Sequence, residues 1–354
     1  MYDIAIIGLG PAGSTLARLI DPKYKVVAID KKTASADSFK KPCGGLLATD
    51  AQRALSAFNL TLPKDILVDP QIFAVETTDL QTGLVRNYPR FYMNMDRHKF
   101  DLWLEGLIPP SVNIIHGACK DVRRVGDSFA LKVICEASEE EITASFVIGA
   151  DGANSIVRRC LFPNKKLKSY VSIQEWFEDK NPHPIYSCFF DSELTDCYAW
   201  GVSKDGKFAL GGAFPPKNCA ANFDKLKNKL PARYSLDKPI KREACMVLRP
   251  SGPKDFIFGG NSAFLIGEAA GLISPSSLEG ISYALNSASK LADIFNGQSK
   301  NLNKAYNKAI LTTMLKLWAK NLKSIFLYTP ILRHIIMKTG LASITVKQAG
   351  KSSG

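Results

Sequence analysis

Tyr2-Asp3-Ile4-Ala5-Ile6-Ile7-Gly8-Leu9-Gly10-Pro11-Ala12-Gly13 decides how this chain reads. Tyr2 to Ile7 is a short, nearly all-apolar run of the kind buried in a parallel sheet. Three glycines follow at once, and Ser14 to Ile20 then supplies a helical pattern. A second apolar run, Lys25 to Ile29, ends on Asp30, 17 positions after Gly13. Strand, glycine turn, helix, strand and terminal acid together make a β-α-β dinucleotide fingerprint. Gly8 permits the tight turn, Gly10 lets the backbone approach a pyrophosphate, and Gly13 lets the helix lie close against the strand. The helix N-terminus offers N–H groups to phosphate, and Asp30 can accept both hydroxyls of an adenosine ribose. A bare glycine triplet is weak evidence; the flanking strands and the spaced acid make it specific. The loop by itself does not distinguish NAD from FAD.

With 354 residues, 46% of them apolar and 22% charged, the chain has the makings of an enzyme with a large core in one elaborated domain or two. No apolar run reaches transmembrane length, and a core strand at the start predicts no signal or transit peptide, so a cytoplasmic location is expected. The eight cysteines form no CxxC pair and read as reduced, mostly small core residues. With four scattered histidines besides, no metal site is expected. The net charge of +13 is unevenly placed: after Asp293 there is no acidic residue, while ten Lys or Arg lie between Lys300 and Lys351. No nucleic-acid recognition motif accompanies this basic tail, and its large apolar residues suit an anionic membrane surface better than nucleic acid.

The tail has a pattern. Leu311, Leu315, Trp318, Leu322 and Ile325 recur at spacings of four, three, four and three, which puts them on one helical face, with Lys316, Lys320 and Lys323 opposite. Pro330 should interrupt the helix, and Ile331 to Leu341 resumes it with Arg333, His334 and Lys338. Such a hairpin either packs its apolar face on the catalytic domain or rests on a bilayer as a peripheral element.

Between these ends, a polar loop over Lys31 to Lys41 leads to Pro42-Cys43-Gly44-Gly45-Leu46-Leu47, where paired glycines suggest backbone passing close to a planar ligand, or a plain turn. Ile72 to Val75 and Leu84 to Tyr88 read as a hairpin around Gln81-Thr82-Gly83. Asp96-Arg97 starts a helix with Phe100 and Leu104 on one face; Arg97 could reach a phosphate or make a first-turn salt bridge. Val112 to Ile115, Asp121 to Val125, Phe129 to Cys135 and Glu141 to Thr143 look like a β-meander, and Ser145 to Ile148 like a separate buried strand. Tyr170 to Gly212 alternates as antiparallel strands, with Gln174-Glu175-Trp176-Phe177 and Tyr198-Ala199-Trp200 as core or substrate wall. Asn222 to Leu230 is a short basic helix. Ala263 to Ile266 reads as a strand, and Ile281 to Phe295 as a helix for which Ser276 and Glu279 are spaced as a capping box.

The order of these pieces resembles the FAD-dependent oxidoreductases that share the p-hydroxybenzoate hydroxylase fold, and within them the geranylgeranyl reductase family. The turn at Gly8, Gly10 and Gly13 with Asp30, Arg97 in Asp-Arg-x-x-Phe-Asp, Gly149-x-Asp151-Gly152-x-x-Ser155-x-x-Arg158 and Gly267-Glu268-Ala269-Ala270-Gly271 match that family's cofactor motifs in order. Pro42-Cys43-Gly44-Gly45 and Tyr198-x-Trp200 resemble its substrate-side elements. Two departures stand out. Glu268 replaces the usual Asp and is one methylene longer, so its contact with the ribityl chain is rearranged. Leu278 replaces the first glycine of Pro-x-x-Gly-Glu-Gly, which narrows the space over a flavin ring.

The resemblance implies FAD rather than NAD, and an α/β fold. A Rossmann-like FAD-binding domain of glutathione reductase type (1–66, 90–165 and 255–298) would carry an antiparallel β substrate domain (67–89 and 166–254) and a helical tail (299–354). It implies cofactor contacts from Gly8, Gly10, Pro11, Ala12, Gly13, Asp30 and Lys31 on the first motif. Further contacts are implied at Cys43, Gly44, Gly45, Leu46 and Arg97. The later motifs add Asp151, Gly152, Gly267, Glu268, Pro275, Gly280 and Ile281. A helix starting near Ser276 would aim its dipole at the pyrimidine edge of the flavin. Cys43 and Tyr198 are the candidate proton donors, with Trp200 beside them as the third catalytic candidate. The expected activity is reduction of carbon–carbon double bonds in a hydrophobic, isoprenoid or lipid-like substrate. NAD(P)H or another reductant would be a transient donor, because no second dinucleotide fold is present. An aromatic monooxygenase and a non-catalytic flavin-binding, membrane-associated protein are the competing readings. Phenol-stimulated O₂ uptake separates the former, and a flavin that nothing reduces or oxidises separates the latter.

Overall fold

The computed structural model describes residues 1–32, 41–136, 138–234, 236–297 and 299–346. Most of the expected loop 31–41, and Lys347 and Lys351 of the tail, lie outside the described residues. Strand β1 (Tyr2–Ile7), helix α1 (Pro11–Leu19) and strand β2 (Val26–Asp30) form the expected unit, β1 and β2 pairing in parallel from Ile4 opposite Val26 to Ile7 opposite Ile29. Pro11 at the helix start forfeits no hydrogen bond, because the first N–H groups have no intrahelical partner anyway. Gly8 has φ 96°, and a Cβ on Gly13 would lie 1.8 Å from the Gly8 carbonyl oxygen, so only glycine lets α1 sit this close.

A two-residue strand β3 (Leu46–Leu47) precedes α2 (Thr49–Ala57), a helix whose Thr, Asp, Gln, Arg and Ser conceal it from hydrophobic periodicity. The expected hairpin is β4 (Ile72–Asp79) and β5 (Val85–Asn94), and α3 (Arg97–Gly106) is capped by Asp96, which accepts from the His98 and Lys99 N–H groups. Next come β6 (Asn113–His116), β7 (Ala118–Val125), β8 (Ser128–Ile134) and β9 (Glu139–Gly149), and here the expectation needs correcting twice. Strand β6 pairs in parallel with β2 instead of joining the meander. The segments 141–143 and 145–148 are halves of one strand, β9, antiparallel to β8 and parallel to β1. Ala144, at the break between the two segments, is where β9 passes from its antiparallel partner β8 to its parallel partner β1.

Helix α4 (Ile156–Leu161) leads to β10 (Ser169–Glu178), β11 (Ile185–Phe190), β12 (Ala199–Lys204), β13 (Lys207–Phe214), α5 (Cys219–Lys229) and β14 (Lys241–Leu248). The chain then returns to the first sheet through β15 (Gly259–Gly260) and β16 (Ala263–Leu265), and ends in α6 (Ile281–Asn296), α7 (Leu302–Tyr328) and α8 (Pro330–Thr339). One sheet runs β15-β16-β9-β1-β2-β6, with β7 and β8 attached through β9; the other runs β14-β10-β13-β12-β11-β4-β5-β3. The second is antiparallel except where β11 runs parallel to β4. The main core lies on the first sheet beneath α1 and α6 and includes Ile4, Ile6, Leu16, Phe264, Leu291 and Phe295.

Two further expectations are overturned. Helix α6 starts at Ile281 behind Gly280 with no side-chain cap, so Ser276 and Glu279 are not a capping box; Glu279 instead accepts from the Tyr92 hydroxyl at 2.8 Å. The hairpin α7–α8 does pack on the molecule, but not by its leucine stripe. The buried side of α7 is Tyr306, Ile310, Leu317 and Ser324, and the stripe from Leu311 to Ile325 faces solvent. The Tyr306 hydroxyl donates to the Leu265 carbonyl at 3.2 Å, an anchor at the sheet edge that hydropathy spacing does not reveal.

Candidate functional site

A cavity of about 970 Å³ runs from the first glycine turn, between the two sheets, to α7 and α8. Gly8, Gly10, Pro11, Ala12, Asp30 and Lys31 line one end. Cys43, Gly44, Gly45, Leu46, Arg97, Asp151, Gly152, Glu268, Gly280 and Ile281 line the middle, with Tyr198 and Trp200 beyond them. Three expected contacts stay outside the lining: Gly13 packs α1 on β1, the Gly267 N–H donates to Ser287 Oγ at 2.9 Å, and the Pro275 carbonyl accepts from Arg249 Nε at 3.1 Å.

At the first end, Asp30 is fixed by backbone. One carboxylate oxygen accepts from the Leu9 N–H and the other from the Lys32 N–H at 2.6 Å. A carboxylate has about four acceptor sites, so each oxygen keeps capacity for a ribose hydroxyl. Nothing lies within 4 Å of where a Cβ on Gly10 would stand, leaving open space over the first turn of α1. Arg97 satisfies both sequence readings. Its guanidinium meets Asp101 one helical turn on, Nε to Oδ1 at 2.8 Å and Nη2 to Oδ2 at 3.3 Å, and still lines the cavity. Burial pulls the Arg97 guanidinium down, but Asp101 and the neighbouring Cys43 thiol outweigh it and hold it above its ordinary value. It is a permanent cation.

In the middle, Asp151 accepts from the Ile156 N–H at 2.6 Å through Oδ2, while its buried Oδ1 has no partner among the described residues. Burial raises this carboxyl above the usual range, although its hydrogen bonds oppose the shift. Arg158 ties the second motif to the third, donating to the Ala153 carbonyl and, at 2.7 Å, to the Ala269 carbonyl. Glu268 bridges two elements: Oε1 accepts from the Leu248 N–H at 3.0 Å and Oε2 from Lys41 Nζ at 2.6 Å. For Lys41, burial opposes the charge, yet Glu268 more than compensates and raises its pKa. Sequence could not signal this pairing across 227 positions.

The turn after the third motif is pinned from the opposite sheet and from α7. Tyr198 donates to the Ser277 carbonyl at 2.7 Å and Tyr328 to the Ser276 carbonyl at 2.7 Å. This holds Leu278 at φ 54°, a left-handed conformation that glycine adopts without cost. Burial also pushes the Tyr198 hydroxyl well above its ordinary value. Trp200 is 6% exposed, packs on Gly211, and has an indole N–H without a partner among the described residues; Gly44 is its neighbour across the cavity. The Cys43 thiol accepts from the Gly45 N–H at 3.4 Å. Beneath that loop the buried Lys204 donates to the Gly45 carbonyl at 3.2 Å, the Met95 carbonyl at 2.8 Å and Asn94 Oδ1 at 2.5 Å. Burial pulls Lys204 down to about 8.

The far chamber is one that sequence reading missed: Tyr92, Tyr186, Phe190, Ile273 and Leu278 are closed over by Phe326, Leu327, Ile336 and Met337 of the terminal hairpin. Arg333 fastens that hairpin, with Nε 2.9 Å from Asp79 Oδ2 in a buried pair, and so is not part of a basic surface. These features fit the expected FAD. The open space over Gly10 suits a diphosphate, and Asp151 Oδ1 and Trp200 Nε1 are buried polar atoms that a ligand can satisfy. Among the described residues no group of His, Cys, Asp and Glu could hold a metal ion.

No protein-family model matches the chain. Protein CbrA of Escherichia coli is 49% identical over 346 residues, covering 97% of this chain and 98% of that protein. Among solved structures, a geranylgeranyl bacteriochlorophyll reductase-like protein from Thermoplasma acidophilum superposes with a TM-score of 0.78 at 18% identity, covering 95% of this chain and 90% of its own. PqsL, a probable FAD-dependent monooxygenase from Pseudomonas aeruginosa, gives 0.70 at 16% identity, covering 96% and 99%. The fold is therefore the expected mixed α/β one shared by such reductases and monooxygenases.

Proposed function

The chain belongs to the CbrA family, and on that premise we propose that it is an FAD-dependent oxidoreductase that reduces carbon–carbon double bonds of a polyprenyl or other lipid-like substrate. The observation that carries this reading is the single cavity that joins the dinucleotide turn to a chamber walled by Tyr92, Tyr186, Phe190, Trp200, Ile273 and Leu327. FAD supplies the hydride chemistry when bound. Asp30 would hold the ribose, while Arg97 and the start of α1 would hold the diphosphate. Asp151 Oδ1, which has no partner among the described residues, and the Glu268–Lys41 pair line the cavity and would hold the cofactor there. Gly280 and Ile281, at the N-terminus of α6, present its positive end to the cavity. The apolar walls of the chamber would accommodate an extended apolar chain.

For the proton that completes reduction of an isolated double bond, Cys43 Sγ is the better candidate of the two. It lines the cavity, whereas the Tyr198 O–H is committed to the Ser277 carbonyl. Trp200 shapes the chamber and offers its N–H. An external reductant, NAD(P)H or another, supplies the electrons. Denaturing the purified protein should release FAD non-covalently, and the dithionite-reduced protein should be reoxidised without oxygen by a prenyl lipid, with a mass gain of two hydrogens per double bond. A colourless protein, FMN, or a flavin retained by the precipitate would overturn the cofactor assignment. Oxygen uptake stimulated by a phenol would overturn the reductase assignment in favour of hydroxylation.

A further inference from the structure

Helix α7 turns the wrong side outward for an element that only had to pack. Leu311, Leu315, Trp318, Leu322 and Ile325 stand in solvent, with Leu322 64% exposed, and α8 adds Ile331 at 73% and Ile335 at 54%. Soluble proteins seldom leave so long an apolar stripe uncovered. Charge indicates what covers it. Lys304 and Lys308 are exposed and continue the stripe at the same spacing ahead of Leu311, and Lys316 and Lys323 are exposed farther round the helix, away from the stripe. Among the described residues no Asp or Glu follows Asp293. A second copy of the chain would bring these lysines toward one another, whereas anionic lipid headgroups neutralise them while acyl chains take up the leucines and Trp318. No helix among the described residues is long and apolar enough to cross a membrane. The stripe also reaches the cavity, because Phe326 and Ile336 are both exposed and cavity-lining, with Lys323 and Arg90 on the same wall.

We propose that α7 and α8 lie flat on an anionic lipid bilayer, the leucine stripe at the boundary of headgroups and acyl chains, so that the cavity opens toward the membrane past Phe326 and Ile336. The proposal rests on the oxidoreductase reading only for what enters the cavity; the surface contact stands on the helix faces and charges. The purified full chain is sedimented with vesicles of phosphatidylcholine alone and with added phosphatidylglycerol, at low and high salt. Binding should require the anionic lipid and weaken roughly tenfold or more at high salt. A blue shift of tryptophan emission should accompany it and be lost in Trp318→Phe. Leu322→Gln with Ile331→Gln, neither lining the cavity, should abolish sedimentation while melting temperature and flavin content stay at parental values. Protein left in the supernatant with both vesicle types overturns the proposal. So does a lipid-free dimer in sedimentation velocity that the double variant dissociates, since the face is then covered by a second copy. Loss of flavin in the parent would sink the oxidoreductase reading and leave the vesicle result standing.

Discussion

Glu268→Asp installs the shorter acid that the resemblance leads one to expect at this motif, and it should nevertheless weaken FAD binding. The Glu268 carboxylate spans a gap, with the Leu248 N–H 3.0 Å from Oε1 and Lys41 Nζ 2.6 Å from Oε2. Removing a methylene retracts the carboxylate by roughly one C–C bond, about 1.5 Å, which is more than either contact tolerates. The Asp variant keeps one partner and abandons the other. If it lets go of Leu248, a buried backbone N–H at the end of β14 is left unsatisfied; if it lets go of Lys41, an ammonium in the site loses its counter-charge. Either loss is a hydrogen bond to a charged group, about 1.5–3 kcal/mol. That corresponds to roughly ten- to hundredfold weaker FAD binding when the cost falls on the assembled site. Titration of apoprotein with FAD, followed by quenching of flavin fluorescence, measures it. Glu268→Gln keeps the reach to Leu248 but not the charge, and should fall between parent and Asp. An Asp variant that binds FAD within about twofold of the parent would refute the bridging argument.

Three other outcomes follow from the geometry. Asp30→Ala and Arg97→Ala should each weaken FAD binding by roughly tenfold or more, through the ribose and the diphosphate respectively; unchanged flavin occupancy in both would mean the cofactor lies elsewhere. Lys204 has a pKa of about 8 in the folded chain against an ordinary 10.5, so from pH 8 to 10.5 the unfolded chain binds the extra proton. The penalty of burying its charge is thus full below pH 8 and relieved above it, and the parent should gain stability relative to Lys204→Met as pH rises through that window. Urea melts in which that difference stays flat or shrinks would contradict it. At Leu278, φ 54° costs a leucine roughly 1–2 kcal/mol, so Leu278→Gly should be nearly neutral, while the β-branched Leu278→Val should be clearly destabilising. The reverse order in thermal melts would show that packing, not backbone, governs the position.

Much was legible without coordinates wherever the governing physics is local. The turn Gly8 to Gly13, with Asp30 at the end of β2, depends on φ, close packing and two short apolar runs, all of which a contiguous stretch declares. The hairpin at Gln81 to Gly83 and the helix capped by Asp96 are local in the same sense. Leu278 was conspicuous in sequence as a leucine where a glycine is usual, but only the backbone shows that it occupies the left-handed region.

What stayed hidden depends on partners far away in the chain. Glu268 meets Lys41, Tyr198 meets Ser277, Arg333 meets Asp79, and no spacing rule links such positions. The split between 141–143 and 145–148 vanished because β9 changes neighbours along its length, and strand continuity is set by pairing rather than by hydropathy. The terminal hairpin makes the sharpest case. Periodicity correctly placed Leu311, Leu315, Trp318, Leu322 and Ile325 on one face of α7, but a helix has several faces and its sequence does not state which one meets the protein. That was decided by Tyr306, Ile310, Leu317 and Ser324, because the surface beside α6 and the Leu265 carbonyl fits them, and a fit between two surfaces exists only once both have folded.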